Sequence, residues 1–86
     1  MPASENPIHV RLFARARDLV GREKVTLSLP PGATVGDLRR RLAAAYPVLE
    51  PLLPHSALAV HQEYAEDALP LPAKAEVALL PPVSGG

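Results

Sequence analysis

From Ile8 the chain alternates. Ile8, Val10, Leu12 and Ala14 are apolar, and His9, Arg11 and Phe13 lie between them. A period of two is that of a strand with one buried face. Phe13 is the exception, an aromatic ring on the face that carries His9 and Arg11. Residues 15–20 leave room for a turn or two of helix before Gly21, a C-terminal stop. Val25, Leu27 and Leu29 then alternate with Lys24, Thr26 and Ser28, which predicts a second strand. Pro30-Pro31-Gly32 ends it, because proline cannot donate to a ladder and glycine supplies the turn. So short a link predicts that the two strands pair antiparallel.

The period changes at Thr34. Thr34 with Asp37 three residues on resembles a capping box, with Asp in place of the preferred Glu or Gln. Val35, Leu38, Leu42 and Ala45 or Tyr46 recur at helical spacing, while Asp37, Arg39, Arg40 and Arg41 take the other side, so an amphipathic helix runs to Pro47. The stretch Val48 to Pro54 is too apolar for a free linker and too proline-rich for regular structure, which predicts a packed loop or short 3₁₀ turn. Leu58 to Gln62 is expected as a third strand, Glu63 to Asp67 as a polar connection, Ala73 to Ala75 as a turn, and Glu76 to Leu80 as the last strand. In that strand Leu80 shares the face of Glu76 rather than that of Val77 and Leu79. The order strand, strand, helix, strand, strand predicts an α+β fold: a mixed sheet of about four or five strands crossed by one main helix, with the first and last strands adjacent in the middle. The expected organisation is a flexible N-terminus at 1–7, one domain at 8–80 and an extended C-terminal tail at 81–86.

Composition narrows the class. A chain of 86 residues has room for one small core. It is 48% hydrophobic with Phe13, Tyr46 and Tyr64 as its aromatics, so that core is built from Leu, Val, Ile and Ala. The formal charge is zero, which removes the electrostatic reason to expect nucleic acid or an anionic membrane as a partner. The sum hides a gradient: residues 1–41 hold eight Lys and Arg against four Asp and Glu, and the remainder holds Lys74 against five acidic residues. Without cysteine there is no disulfide, thiol nucleophile or thiolate metal site. The N-terminus lacks the regions of a signal peptide and no apolar run reaches membrane length, so a soluble, cytoplasmic protein is expected.

Few side chains here form a catalytic set. His9 and His61 could face one another from paired strands, as a metal site lacking a third ligand or as solvated histidines, and the latter is the favoured reading. Glu63, Glu66 and Asp67 form an acidic loop, read as a solvated face. Arg39, Arg40 and Arg41 occupy one helical turn and cannot all point one way, so they too read as solvated. The end of the chain is different. A strand runs directly into Pro81-Pro82, whose extended geometry throws Val83-Ser84-Gly85-Gly86 away from the domain by up to roughly 20 Å. A terminal carboxylate can attack the α-phosphate of ATP, and the resulting acyl-adenylate accepts sulfur or an amine. Glycines suit passage into a narrow tunnel because they carry no side chain.

These residues resemble the MoaD/ThiS group of ubiquitin-like β-grasp sulfur carriers, which includes the small subunits of molybdopterin synthase. The resemblance runs from Ile8 to Gly86. Its carriers are Val10 to Ala14, Arg17 to Gly21, Thr34 to Leu38, Ala59 to Gln62 and, most specifically, Glu76-Val77-Ala78-Leu79-Leu80-Pro81-Pro82-Val83-Ser84-Gly85-Gly86. The chain departs from the family's usual Val-Asn at Val60-His61, and from its Gly-Asp at Lys74-Ala75. The resemblance implies a β-grasp fold and a Gly86 that is adenylated and then thiocarboxylated, with Pro81, Pro82, Val83, Ser84 and Gly85 as the tail. It implies three partners: an E1-like (MoeB-like) adenylyltransferase that consumes ATP, a sulfur donor system, and a large (MoaE-like) synthase subunit that receives the tail. It also implies that Phe13, Tyr64 and Leu80 contact these partners, that this chain binds no cofactor or metal, and that alone it is no enzyme. A sulfur carrier for thiamine or amino-acid synthesis, a ubiquitin-like protein modifier, or a plain binding module remain alternatives.

Overall fold

The computed structural model describes residues 6–82. Seven main elements follow in order: β1 (Asn6–Leu12), α1 (Ala14–Val20), β2 (Lys24–Leu29), α2 (Val35–Ala45), β3 (Ala57–Val60), β4 (Glu63–Ala65) and β5 (Glu76–Leu80). Two 3₁₀ turns, Pro47–Leu49 and Leu53–His55, fill the proline-rich stretch. The strands form one sheet in the order β2-β1-β5-β3-β4. β1 and β5 are parallel at its centre, and every other pair is antiparallel.

One face of the sheet is buried. Ile8, Val10 and Leu12 of β1 lie in register with Leu27 and Val25 on one side and with Val77 and Leu79 on the other, and Leu58 and Val60 continue the layer. Val35, Leu38 and Leu42 of α2, all fully buried, close this core together with Leu49 and Leu53 of the 3₁₀ turns. Burying a Leu or Val side chain stabilises the fold by about 1.5–3 kcal/mol, so a core of this kind is the main stabilising term.

The helix start is built as its sequence predicts. The Thr34 hydroxyl accepts from the Asp37 N–H at 3.2 Å, and the Asp37 carboxylate accepts from the Thr34 N–H at 2.9 Å. That backbone bond is the largest cause holding the Asp37 carboxyl below its ordinary value of 3.8; desolvation opposes it, and Arg40 and the Thr34 hydroxyl reinforce it. The next free N–H groups of α2 go to the connection before β5: Val35 to Leu69 O and Gly36 to Asp67 O, both at 2.9 Å. Gly36 permits this approach, since a Cβ there would stand 3.3 Å from Asp67 Cβ and from Asp67 O.

Five expectations are corrected. β1 starts at Asn6, inside the segment expected to be flexible, and ends at Leu12. Ala14, expected in the strand, opens α1 with a left-handed φ of 51°, which leaves Phe13 as the helix N-cap. His61 and Gln62 leave the expected third strand to become a two-residue turn, and Glu63–Ala65 is a strand rather than a connection. Arg39 leaves its solvated neighbours. Its guanidinium donates to the carbonyls of Leu53 and Ser56, the latter at 2.9 Å, and its Nε and Nη2 both reach Asp67 Oδ1, Nη2 at 2.9 Å.

Candidate functional site: the open sheet face and the exit of the central strand

The face of the sheet turned away from α2 carries the side chains that alternation excludes from the core. One row crosses all five strands in register: Lys24, Arg11, Ala78, Ala59 and Tyr64. Two alanines in the middle of a sheet face leave a hollow between larger neighbours. A depression of about 290 Å³ lies there, lined by Arg11, Phe13, Ala59, His61, Glu76 and Ala78 among others. Ala59 is buried although it lies on the open face. The Arg11 guanidinium sits 5.8 Å from the centroid of the Phe13 ring, at cation–π range. Among the described residues it makes no hydrogen bond or salt bridge.

The predicted contact residues all border this face, and the structure groups them only in part. Phe13 and Leu80 each stand one position beyond the last paired residues of the parallel ladder, Leu12 and Leu79. Phe13 is 36% exposed and Leu80 is half-buried. Tyr64, 79% exposed, pairs with Ala59 but lines a separate open groove of about 880 Å³ between β4 and the connection running to Pro72. Ala59 and Ala78 were missed by reasoning from motifs. Their signal was present as two outward-facing alanines whose neighbours along the strands are Leu and Val.

β5 delivers the chain end. Its last residue, Leu80, pairs with Ala57 of β3, and Pro81 and Pro82 follow at once, where no ladder bond is asked of them. Val83, Ser84, Gly85 and Gly86 lie outside the described residues. His9 and His61 are not brought together: Glu76 lies in register with His9, and the His61 N–H donates to the Glu76 carbonyl at 3.0 Å. His9 Nδ1 lies 3.1 Å from the Thr26 hydroxyl. Among the described residues no group of three His, Cys, Asp or Glu side chains is placed to hold a metal ion, and no helix is long and apolar enough to cross a membrane.

A helix laid across a mixed sheet with a parallel central pair defines a β-grasp domain, the ubiquitin-like architecture. The chain belongs to the ThiS/MoaD family of ubiquitin-like sulfur carriers: the ThiS family model matches residues 10–86. It is 39% identical to the molybdopterin synthase sulfur carrier subunit of Arabidopsis thaliana, over 92% of this chain and 82% of that one. The subunit of the same name from Dictyostelium discoideum is 34% identical over 94% and 98%. Among solved structures, the small archaeal modifier protein 1 of Haloferax volcanii is similar with a TM-score of 0.82 and 30% identity, covering 91% of this chain and 99% of that one.

Proposed function

We propose that this chain is the sulfur-carrying small subunit of a molybdopterin synthase and that Gly86 is its reacting residue. The observation that supports the reading most is the exit of β5, the central strand, into Pro81-Pro82 at the border of the open face, in a sequence that ends Gly85-Gly86. A separate E1-like adenylyltransferase grips the face and presents the carboxylate of Gly86 to ATP. The carboxylate oxygen attacks the α-phosphorus, pyrophosphate leaves, and an acyl-adenylate forms. A donor system supplying sulfur at the sulfide level then attacks the acyl carbon: the C–S bond forms, the C–O bond to AMP breaks, and a proton is released. The thiocarboxylate tail next enters the large subunit, where its sulfur forms a C–S bond to the pterin precursor as a C–O bond of the precursor breaks and its oxygen leaves; water then cleaves the acyl C–S bond, which leaves the sulfur on the pterin and returns Gly86 as a carboxylate.

The chain's own residues supply the handle. Phe13 and Leu80 offer apolar surface beside the tail root, with Tyr64 exposed further along the same face, and exposed apolar surface on a small domain serves contact. Acid-base groups and ATP binding belong to the partners, and both partners would be met in the cytoplasm. The test is intact mass after incubation with the activating enzyme, ATP and a sulfur donor. The expected result is replacement of one C-terminal oxygen by sulfur, and an unchanged mass refutes the reading. A second reading, covalent attachment to lysines, draws on the likeness to the archaeal modifier protein. Higher-mass conjugates in cell extract that disappear on deleting Gly86 would favour it.

A further inference from the structure

Two walls border the groove of about 880 Å³ beside β4, and they are built differently. One is β4 itself, which pairs with β3 and has no strand on its other side among the described residues. An edge strand turns the N–H and C=O groups of alternate residues outward, where another extended chain can bond to them. The other wall is the connection from Ala68 to Pro72. Its backbone is committed elsewhere: Asp67 O and Leu69 O accept from the first turn of α2 at 2.9 Å, and the Leu71 N–H donates to Ala33 O at 2.8 Å. Pro70 and Pro72 have no N–H to give. This wall offers side chains rather than a ladder, and its bonds hold it in place before anything binds.

The lining is apolar and uncovered. Tyr64 is 79% exposed and Leu69 is 42% exposed, so two of the four large exposed hydrophobic side chains among the described residues border this one groove. Apolar surface left open on a small domain marks a contact site. The rim is acidic. Glu63 and Glu66 line the groove and make no salt bridge among the described residues, and residues 42–73 contain no Lys or Arg. The cations on either side of that stretch do not neutralise the rim: Arg39 pairs with Asp67, and Lys74 follows Pro72 in the turn bonded to Asn6, outside the lining. His61 stands at the hairpin end of the lining, so two carboxylates face one imidazole.

We propose that this groove binds an extended basic segment of a partner protein, which adds to β4 as a sixth strand, lays apolar side chains against Leu69 and Tyr64, and sets Lys or Arg beside Glu63 and Glu66. Strand addition draws affinity from main-chain bonds and specificity from alternate side chains. The acidic flanks do the selecting. They repel an acidic strand, which protects a bare edge from indiscriminate pairing, and they admit a basic one. The site lies at the sheet edge and needs no chemistry at Gly86, so it stands or falls separately from the sulfur-carrier reading.

The probe is a capped octapeptide of alternating lysine and valine, titrated into the nitrogen-15-labelled full chain and followed by amide NMR shifts. Expected are shifts confined to residues 63–71 that saturate with a dissociation constant of about 1 mM or below and weaken about tenfold at high salt, because the ion pairs are exposed. An octapeptide of glutamate and valine should bind at least about tenfold more weakly. A proline in the middle of the lysine peptide should abolish the shifts, because it cannot complete the ladder. Glu63→Lys with Glu66→Lys should reverse the preference between the two peptides. The inference is overturned if the lysine and glutamate peptides bind alike, if the proline peptide binds as well as its parent, or if the shifts are absent or fall elsewhere. Shifts in the same residues that grow with protein concentration, without peptide, would assign the edge to a second copy of this chain and overturn it too.

Discussion

Replacing Arg39 by alanine should cost this fold more than any other change at a charged residue on α2. The Arg39 side chain is only 20% exposed, and its guanidinium ties three separated segments to the helix: Leu53 in a 3₁₀ turn, Ser56 at the entry to β3, and Asp67 in the connection before β5. Hydrogen bonds to a charged group are worth about 1.5–3 kcal/mol each in mutational series, and they are not additive. The Asp67 side chain is 58% exposed, so its ion pair is screened and adds at most about 1 kcal/mol. The two carbonyls that accept from Arg39 belong to buried residues and dominate the loss. Together these give about 2–3 kcal/mol. A domain of this length has a total of roughly 4–13 kcal/mol, so the change removes a large fraction of it and lowers Tm by roughly 10–20 °C. Urea unfolding followed by circular dichroism measures it, with an unchanged slope as the sign that only stability moved. Arg41→Ala, at an exposed position without a hydrogen bond among the described residues, is the control and should stay within about 0.5 kcal/mol. Arg39→Lys keeps the charge but not the fork that spans three segments, and should recover less than half of the loss. If Arg39→Ala matches the Arg41 control, the clamp contributes nothing and the reasoning fails.

Further outcomes are expected. The Asp37 carboxyl titrates lower in the folded chain than in the unfolded one, so its contribution is present above about pH 4 and is lost as pH falls through the lowered folded value. The stability gap between the original and Asp37→Asn should narrow on acidification, and a gap that widens would contradict the capping geometry. Leu38→Ala, at a fully buried position between helix and sheet, should cost about 2–5 kcal/mol in denaturant unfolding. Deleting Gly86 should leave the circular dichroism spectrum and Tm unchanged while abolishing sulfur transfer in a reconstituted assay, and transfer that survives would move the reacting group elsewhere.

The sequence disclosed most where the signal was local. The alternation of Val25, Leu27 and Leu29 and the Thr34–Asp37 box each involve residues within a few positions, and β2 and α2 appear where they point. The features that were not legible depend on distant partners. β4 is three residues of an edge strand, Glu-Tyr-Ala, with too little apolar character to announce itself; only pairing with β3 makes it a strand. Arg39 reads like Arg40 and Arg41 until Leu53, Ser56 and Asp67 are folded against it. The depression required Ala59 and Ala78 to be brought side by side from strands that are separate in sequence. For Phe13, the alternation found the right face and the wrong element: the apolar misfit was visible, while the left-handed turn at Ala14 that displays it was not.

The position of β5 has a mechanical consequence. It bonds to β1 on one side and to β3 on the other, and the chain beyond Leu80 continues from it. A partner that draws on that end pulls along the strand, and the hydrogen bonds run across the pull. Both ladders are therefore loaded at once and must slide together before any bond is lost. An edge strand like β4 would peel away from a single neighbour, one bond after another. Tension applied beyond Leu80 therefore falls on a strand braced on both sides, so the domain can be tugged without unravelling.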